Sequence, residues 1–222
     1  MTKHAIGCMY GAPGAMNLTP LKHGGSREIG HVTRFVRALR VGPPIVRELL
    51  SRLGRPRDPA ALQPIAPHDP RIDAMWNEAK QDLRLATVRD AAFYTWRFRE
   101  APAQREPAYV IVDDHVPIGA CALESMRDGV ELHVVDLVAT PGHWHACLRA
   151  VVAHAIANTR ARTVSIKLFA IDGRARNMWR SGFLERESKP FLVMIPKQGD
   201  RRFVDPQRWF YCGADSDLDR LE

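Results

Sequence analysis

Residues 130–169 read VELHVVDLVATPGHWHACLRAVVAHAIANTRARTVSIKLF, and this stretch decides the fold. It opens with ten mostly apolar, valine-rich residues, 130–139, the composition of a buried strand. Pro141-Gly142 breaks the run. From about residue 143 to 159, Leu148, Val151, Val152, Ala155 and Ile156 recur at helical spacing, and residues 163–169 are strand-like again. Strand, helix and strand in this order predict a parallel, right-handed crossover. Parallel neighbours need a connection of about a dozen residues or more, and it packs back onto the sheet with one hand.

Toward the N-terminus, residues 108–112 and 116–126 are two further strands. Asp113-Asp114-His115 separates them, and Arg127-Asp128-Gly129 is a hairpin signal leading into residue 130. Residues 71–83 place Ile72, Met75, Trp76 and Ala79 on one helical face. Asp90 is placed to cap a helix carrying Phe93, Tyr94, Trp96 and Arg97. Residues 41–70 hold seven of the sixteen prolines and read as a stiff linker, interrupted by an amphipathic stretch at 45–53. Residues 1–40 read as strand, weak helix with an internal Pro20, glycine pair, and an alternating strand at 30–39. Toward the C-terminus, residues 174–180 form a short helix closed by Gly182, and 183–195 a last strand. Four segments result: 1–40, the linker 41–70, a main lobe 71–196, and a tail 197–222 that packs back through Trp209 and Tyr211 and ends acidic. The fold class is mixed α/β, with helices flanking a central mixed sheet.

Composition narrows the function. Hydrophobic residues make up 45% and charged residues 26% of the 222 residues, the balance of a globular chain rather than a disordered one. No apolar run approaches the roughly 18 residues a membrane span needs, and no signal-peptide pattern opens the chain. Cys8, Cys121, Cys147 and Cys212 are scattered without a CxxC pair and read as reduced thiols of a cytoplasmic protein, not a disulfide frame or zinc site. The net charge is +7; no basic stripe interleaved with aromatics accompanies it, so nucleic acid is not an expected partner. His143, His145, Cys147 and His154 do not share one helix face, and Asp215, Asp217 and Asp219 lack the glycine and bidentate Glu of a calcium loop. No metal is expected.

The order of elements over residues 71–219 resembles the GNAT (Gcn5-related N-acetyltransferase) superfamily, in which two helices precede an antiparallel meander. A long helix, a strand splayed from its neighbour, a short helix and a closing strand follow. Arg180-Ser181-Gly182-Phe183 is similar to the "xxGF" ending of that short helix. Residues 89–98 (RDAAFYTWRF) are similar to a "YLxWRY" helix, and residues 208–217 (RWFYCGADSD) to a "WY…GD.D" tail, of GNAT-like proteins from bacterial polysaccharide-assembly loci. Those proteins are tandem. Residues 6–37 echo residues 164–195 in strand–turn–helix–glycine–strand order, as the end of a truncated first lobe would, or as two instances of a common unit.

The resemblance implies a site. Acetyl-CoA would lie in the splay between residues 130–139 and 163–169, along Leu137 and Val138. Its pyrophosphate would sit at the turn 139–146, where unpaired N–H groups at a helix N-terminus favour anions. That turn has one glycine, Gly142, and His143 and Arg149 could assist; a plain proline-opened helix start is the alternative. Many GNAT enzymes carry a tyrosine acid four residues before the closing glycine. Here that residue is Met178, which cannot give a proton, and Tyr211 of the returning tail is the candidate replacement. Glu131 is the candidate base, with Glu124 across the hairpin. Trp96 and Arg97 either line a substrate cleft or belong to a helix core and its rim. His133 and Asp136, three apart on one strand, would face opposite ways unless a bulge intervenes.

The expected function is acetyl transfer from acetyl-CoA to an amine or hydroxyl of a small molecule or sugar precursor, with degenerate motifs. The alternative is a non-catalytic GNAT-like binding module or remnant. Residues 1–40 are too few to bury a core, so they must pack on the main lobe or pair with another copy of the chain, since an open strand at 32–39 invites a homo-oligomer.

Overall fold

The computed structural model describes residues 8–13, 15–39, 60–100, 106–169, 173–196 and 199–215. Eight strands form one sheet: β1 (Met9–Gly11), β2 (Arg27–Ala38), β3 (Ala61–Pro64), β4 (Ala108–Asp113), β5 (Val116–Met126), β6 (Glu131–Ala139), β7 (Thr163–Phe169) and β8 (Leu184–Met194). Their order across the sheet is β1-β8-β2-β7-β6-β5-β4-β3. Only β6 and β7 pair in parallel; the other described neighbours are antiparallel. The helices are α1 (Ala15–His23), α2 (Pro70–Ala79), α3 (Ala91–Thr95), α4 (Trp144–Asn158) and α5 (Gly173–Arg176). Among the described residues, no helix is long and apolar enough to cross a membrane.

Local chemistry explains most of these elements. The β5–β6 turn places Arg127, Asp128 and Gly129 at φ 53°, 55° and 82°, left-handed conformations that a tight hairpin demands and glycine adopts without strain. Every residue of β6 is buried, which is why it reads as a continuous apolar run rather than an alternating one. In α2, Asp69 caps the first turn, Pro70 stands at its start, and Ile72, Met75, Trp76 and Ala79 are the buried face. Asp90 accepts from the Phe93 N–H at 2.8 Å and so caps α3. Gly182, at φ 74°, ends the turn that follows α5.

Three features depart from the expectation. A strand, β3, lies within the linker: it pairs with β4 at the sheet's edge, where Pro64 can end it because an edge strand does not need every N–H. Helix α3 continues as a π-helical turn, Trp96–Glu100. The wider turn shifts the periodicity, buries Arg97 and Phe98, and leaves Trp96 57% exposed. The strand expected to be open, β2, is interior, bonded to β7 on one side and β8 on the other. Both its edges are taken within the chain, so it offers none to another copy.

The feature that positions the site is a divergence. β6 and β7 pair only from Glu131 opposite Thr163 to Val134 opposite Ile166. At the same point the register with β5 slips: Leu123 faces Val134, but Ala122 faces Asp136. Val135 is the extra residue of a β-bulge, which bends its strand and increases its twist. From Val135 onward β6 turns away from β7, and a splay opens at the C-terminal ends of the two strands.

Because β2 is interior, a chain lacking residues 1–40 should lose β7 and β8 their common neighbour. The expected result is loss of the cooperative thermal transition, read by circular dichroism; an unchanged transition would show the N-terminal unit to be a passive appendage.

Candidate functional site

Strands that part leave main-chain groups unpaired, and buried main-chain groups need partners. The C-terminal segment supplies them. The Phe169 N–H donates to the Tyr211 carbonyl at 3.1 Å, and Leu168 and Cys212 form an antiparallel bridge. On its other side the segment is held by Leu85, whose N–H donates to the Arg208 carbonyl (2.9 Å) and whose carbonyl accepts from the Phe210 N–H (2.8 Å). The segment runs like a short strand, with alternate side chains on opposite faces. Trp209 and Tyr211 join Val32, Phe169, Phe191 and Val193 in one cluster, while Phe210 and Cys212 enter the main core.

A buried polar knot pins this segment. Arg89 is fully buried. Its Nε donates to Asp136 at 3.0 and 3.2 Å, and its Nη2 donates to Asp215 at 2.6 Å. Asp136 also accepts from the Tyr94 hydroxyl (2.8 Å) and the Cys212 thiol (2.7 Å). Burial alone would lower the Arg89 pKa, but Asp136 and then Asp215 hold it well above its ordinary value. Burial, with Asp136 alongside, pushes the Cys212 thiol well up. Two polar atoms of this region have no partner among the described residues, Trp144 Nε1 and Asp215 Oδ1.

Beside the splay lies a cavity of about 200 Å³, walled by β2, β5, β6, β7, β8 and the tail. Its cations include Arg34, Arg97, Lys167 and Lys189; its acids are Glu106, Glu124, Glu131 and Glu187; His133 and Tyr211 complete the polar lining. A hydrogen-bond chain through buried Ser165 joins several of these lining residues. Arg34 donates to Glu131 (2.5 Å) and to Glu187 (2.7 Å). Ser165 Oγ donates to Glu131, and His133 Nδ1 lies 2.9 Å from Ser165 Oγ. With its own proton directed at Glu131, Ser165 accepts from His133 Nδ1. Burial raises the Glu131 pKa, yet the Ser165 and Arg34 hydrogen bonds outweigh it and the carboxyl sits below its ordinary value.

The residues expected in the site divide into groups. Glu131, Arg97 and Tyr211 come together in the cavity, with Glu124. Leu137 and Val138 are buried on β6 beyond the bulge. Gly142, at φ +80° with open space around it, and exposed His143 precede α4, and Arg149 is exposed along it. Trp96 faces solvent and is not brought to the cavity. Met178 is buried core, 1% exposed. His133 and Asp136 do not meet: one bonds Ser165, the other the Arg89 knot. His145 bonds Ser181 (2.9 Å) and His154 packs on the Tyr109 ring. Among the described residues no group of three or more His, Cys, Asp or Glu could hold a metal.

The implied acetyl-CoA does not fit this arrangement. Its extended arm would run where Tyr211 and Cys212 bridge to β7. At the start of α4, Trp144 packs on Phe210, and Arg174 lies over both rings at 5.9 and 5.3 Å. The polar knot and Arg34, Lys167 and Lys189 escaped the sequence reading, because their partners lie far away in the chain. Asp136 was the available signal: an acid inside an apolar strand requires a buried cation.

The chain shares its fold with solved structures of low sequence identity. A GCN5-related N-acetyltransferase from Anabaena variabilis superposes with a TM-score of 0.57 at 16% identity, over 86% of this chain and 46% of that one. One from Kribbella flavida gives 0.51 at 19% identity, over 86% and 43%. A conserved Enterococcus faecalis protein of unknown function, described as a "Probable N-Acyltransferase", gives 0.55 at 10% identity, over 91% and 46%. The chain thus spans less than half the length of each of these three. No family model matches the sequence, and no curated protein does. The fold is that of the GCN5-related N-acetyltransferases.

Two predictions follow from the geometry. Asp136→Ala strands the buried Arg89 charge and should cost about 3–5 kcal/mol of stability, read by urea denaturation; a loss under 1 kcal/mol would mean the knot is not paired as described. The depressed Glu131 carboxyl adds stability that is present above its unfolded pKa of about 4.3 and is lost as pH falls through its lower folded value. Below about pH 4, wild type should therefore lose stability more steeply than Glu131→Gln in parallel denaturation curves.

Proposed function

We propose that this chain is a GNAT-fold lobe that binds a small, charged molecule in the cavity beside the splay, and that it does not transfer acetyl groups while the tail is seated. The observation that carries this reading is the double role of the tail. The Tyr211–Gly213 stretch lines the cavity and also bridges β7 within the splay. Cations and carboxylates facing one small volume suit a ligand bearing both charges, such as an amino acid or a sugar carrying an amine and an acid. Charge on the body of the chain is then spent on a small ligand rather than on a nucleic acid.

A second reading is the acyltransferase itself. It is favoured by Glu131, His133 and Tyr211 lining one cavity. In it, a base takes the acceptor amine's proton and the Tyr211 hydroxyl protonates the departing thiolate.

The discriminating experiment is CoA release from acetyl-CoA with a panel of amines, amino acids and amino sugars, alongside calorimetry of the same panel without acetyl-CoA. The expected outcome is heat from a charged acceptor, weakened about tenfold or more by Arg97→Ala, with no release above the uncatalysed rate. Brisk release lost in Tyr211→Phe would establish the second reading instead. Brisk release that survives Tyr211→Phe would place the active site elsewhere.

A further inference from the structure

The slot between β6 and β7 is occupied, yet its occupant leaves it imperfectly satisfied. Trp144 is 6% exposed, and its Nε1 has no partner among the described residues, although Phe210 of the tail packs against its ring. Asp215 Oδ1, on the tail itself, is buried and also without one. A segment that served only to complete the core would be expected to satisfy such groups, since a buried polar atom without a partner is destabilising.

The bonds that hold the segment's main chain are also generic. Phe169 gives an N–H, and Leu85 gives both an N–H and a carbonyl. Any extended chain bearing amides can meet those groups. Its specific holds are the side chains of Trp209 to Cys212, buried in the two cores, and one polar knot, Arg89 to Asp215 and to the Cys212 thiol. On the N-terminal side the segment is joined through two short 3-10 turns, Arg201–Val204 and Pro206–Arg208, neither of which has a buried residue.

We propose that residues 209–215 are a displaceable strap: they close the slot in cis, and must leave before the extended amide-bearing arm of an acyl thioester can enter. Because Tyr211 and Gly213 also wall the cavity, release of the strap opens the cavity toward the slot. The two sites are therefore joined only in the strap-open form. This inference does not depend on which molecule the cavity takes.

The bridge between Leu168 and Cys212 supplies the test. Directly opposed residues of an antiparallel pair lie about 4.5–5.5 Å apart at Cα, within the range a disulfide spans. Leu168→Cys can therefore be oxidised onto the native Cys212 to lock the strap, and reduced to free it. Asp215→Asn keeps the shape and weakens the knot. Acetyl-CoA binding is measured by calorimetry on the full chain in each form, with thermal unfolding run in parallel to verify folding. Apparent affinity scales with the open fraction. Asp215→Asn should therefore bind at least about tenfold tighter than wild type, and oxidised Leu168→Cys at least about tenfold more weakly than its reduced form. Equal affinity in the oxidised and reduced forms would overturn the proposal, and so would absence of binding in every form. If Asp215→Asn fails to fold, the oxidised and reduced pair still decides. Failure of the cavity reading would appear separately, in the acceptor calorimetry on wild type.

Discussion

A bulge at Val135 sets β6 and β7 apart, and a buried gap between two strands cannot be left empty. Unpaired main-chain N–H and C=O groups away from water are as costly as lost hydrogen bonds. The rest of the molecule is arranged around that constraint. The β7 edge is met by Tyr211 and Cys212, the strand-like tail is braced by Leu85, and Arg89 closes the arrangement between an acid of β6 and an acid of the tail. Two buried carboxylates on one arginine are tolerable because the arginine's donors are shared between them and Asp136 has Tyr94 and Cys212 as well.

The same geometry separates the charged cavity from the slot. The charged cavity lies beside the slot, and buried Ser165 links its lining residues Arg34, Glu131 and His133 in a hydrogen-bonded chain. The slot is filled by the chain itself. A fold shared with acetyltransferases does not by itself assign their chemistry, because function resides in the site, and on the proposed reading the tail decides what the site contains.

How much of this was legible depended on the range of the interactions. The buried face of α2, the Asp90 cap and the limits of β7 follow from periodicity and capping within a few residues. The return of Trp209 and Tyr211 was legible as a resemblance. Strand β3 was not, because a proline-containing edge strand exists only by virtue of β4. The place of β2 inside the sheet is a choice among distant partners that no local pattern encodes. Trp96 was misplaced because the π-turn changes the spacing that assigned its face. Arg97, Glu131 and Tyr211 line one cavity, but nothing local in the sequence links them to each other. The Arg89 knot joins residues up to 126 apart, and only the oddity of an acid in β6 hinted at it.

The most direct measurement of whether the tail fills the slot is the alkylation rate of the native cysteines at pH 8, followed by mass spectrometry with and without acetyl-CoA. Cys121, Cys147 and Cys212 are buried and Cys8 is partly exposed; burial pushes the Cys147 thiol up to about 12 and Cys212 well up. A seated, displaceable tail predicts that Cys8 reacts first, that Cys212 is protected, and that acetyl-CoA raises the Cys212 rate while Cys121 and Cys147 stay unreactive. Cys212 reacting as fast as Cys8 in the absence of ligand, or acetyl-CoA binding without changing the Cys212 rate, would contradict it.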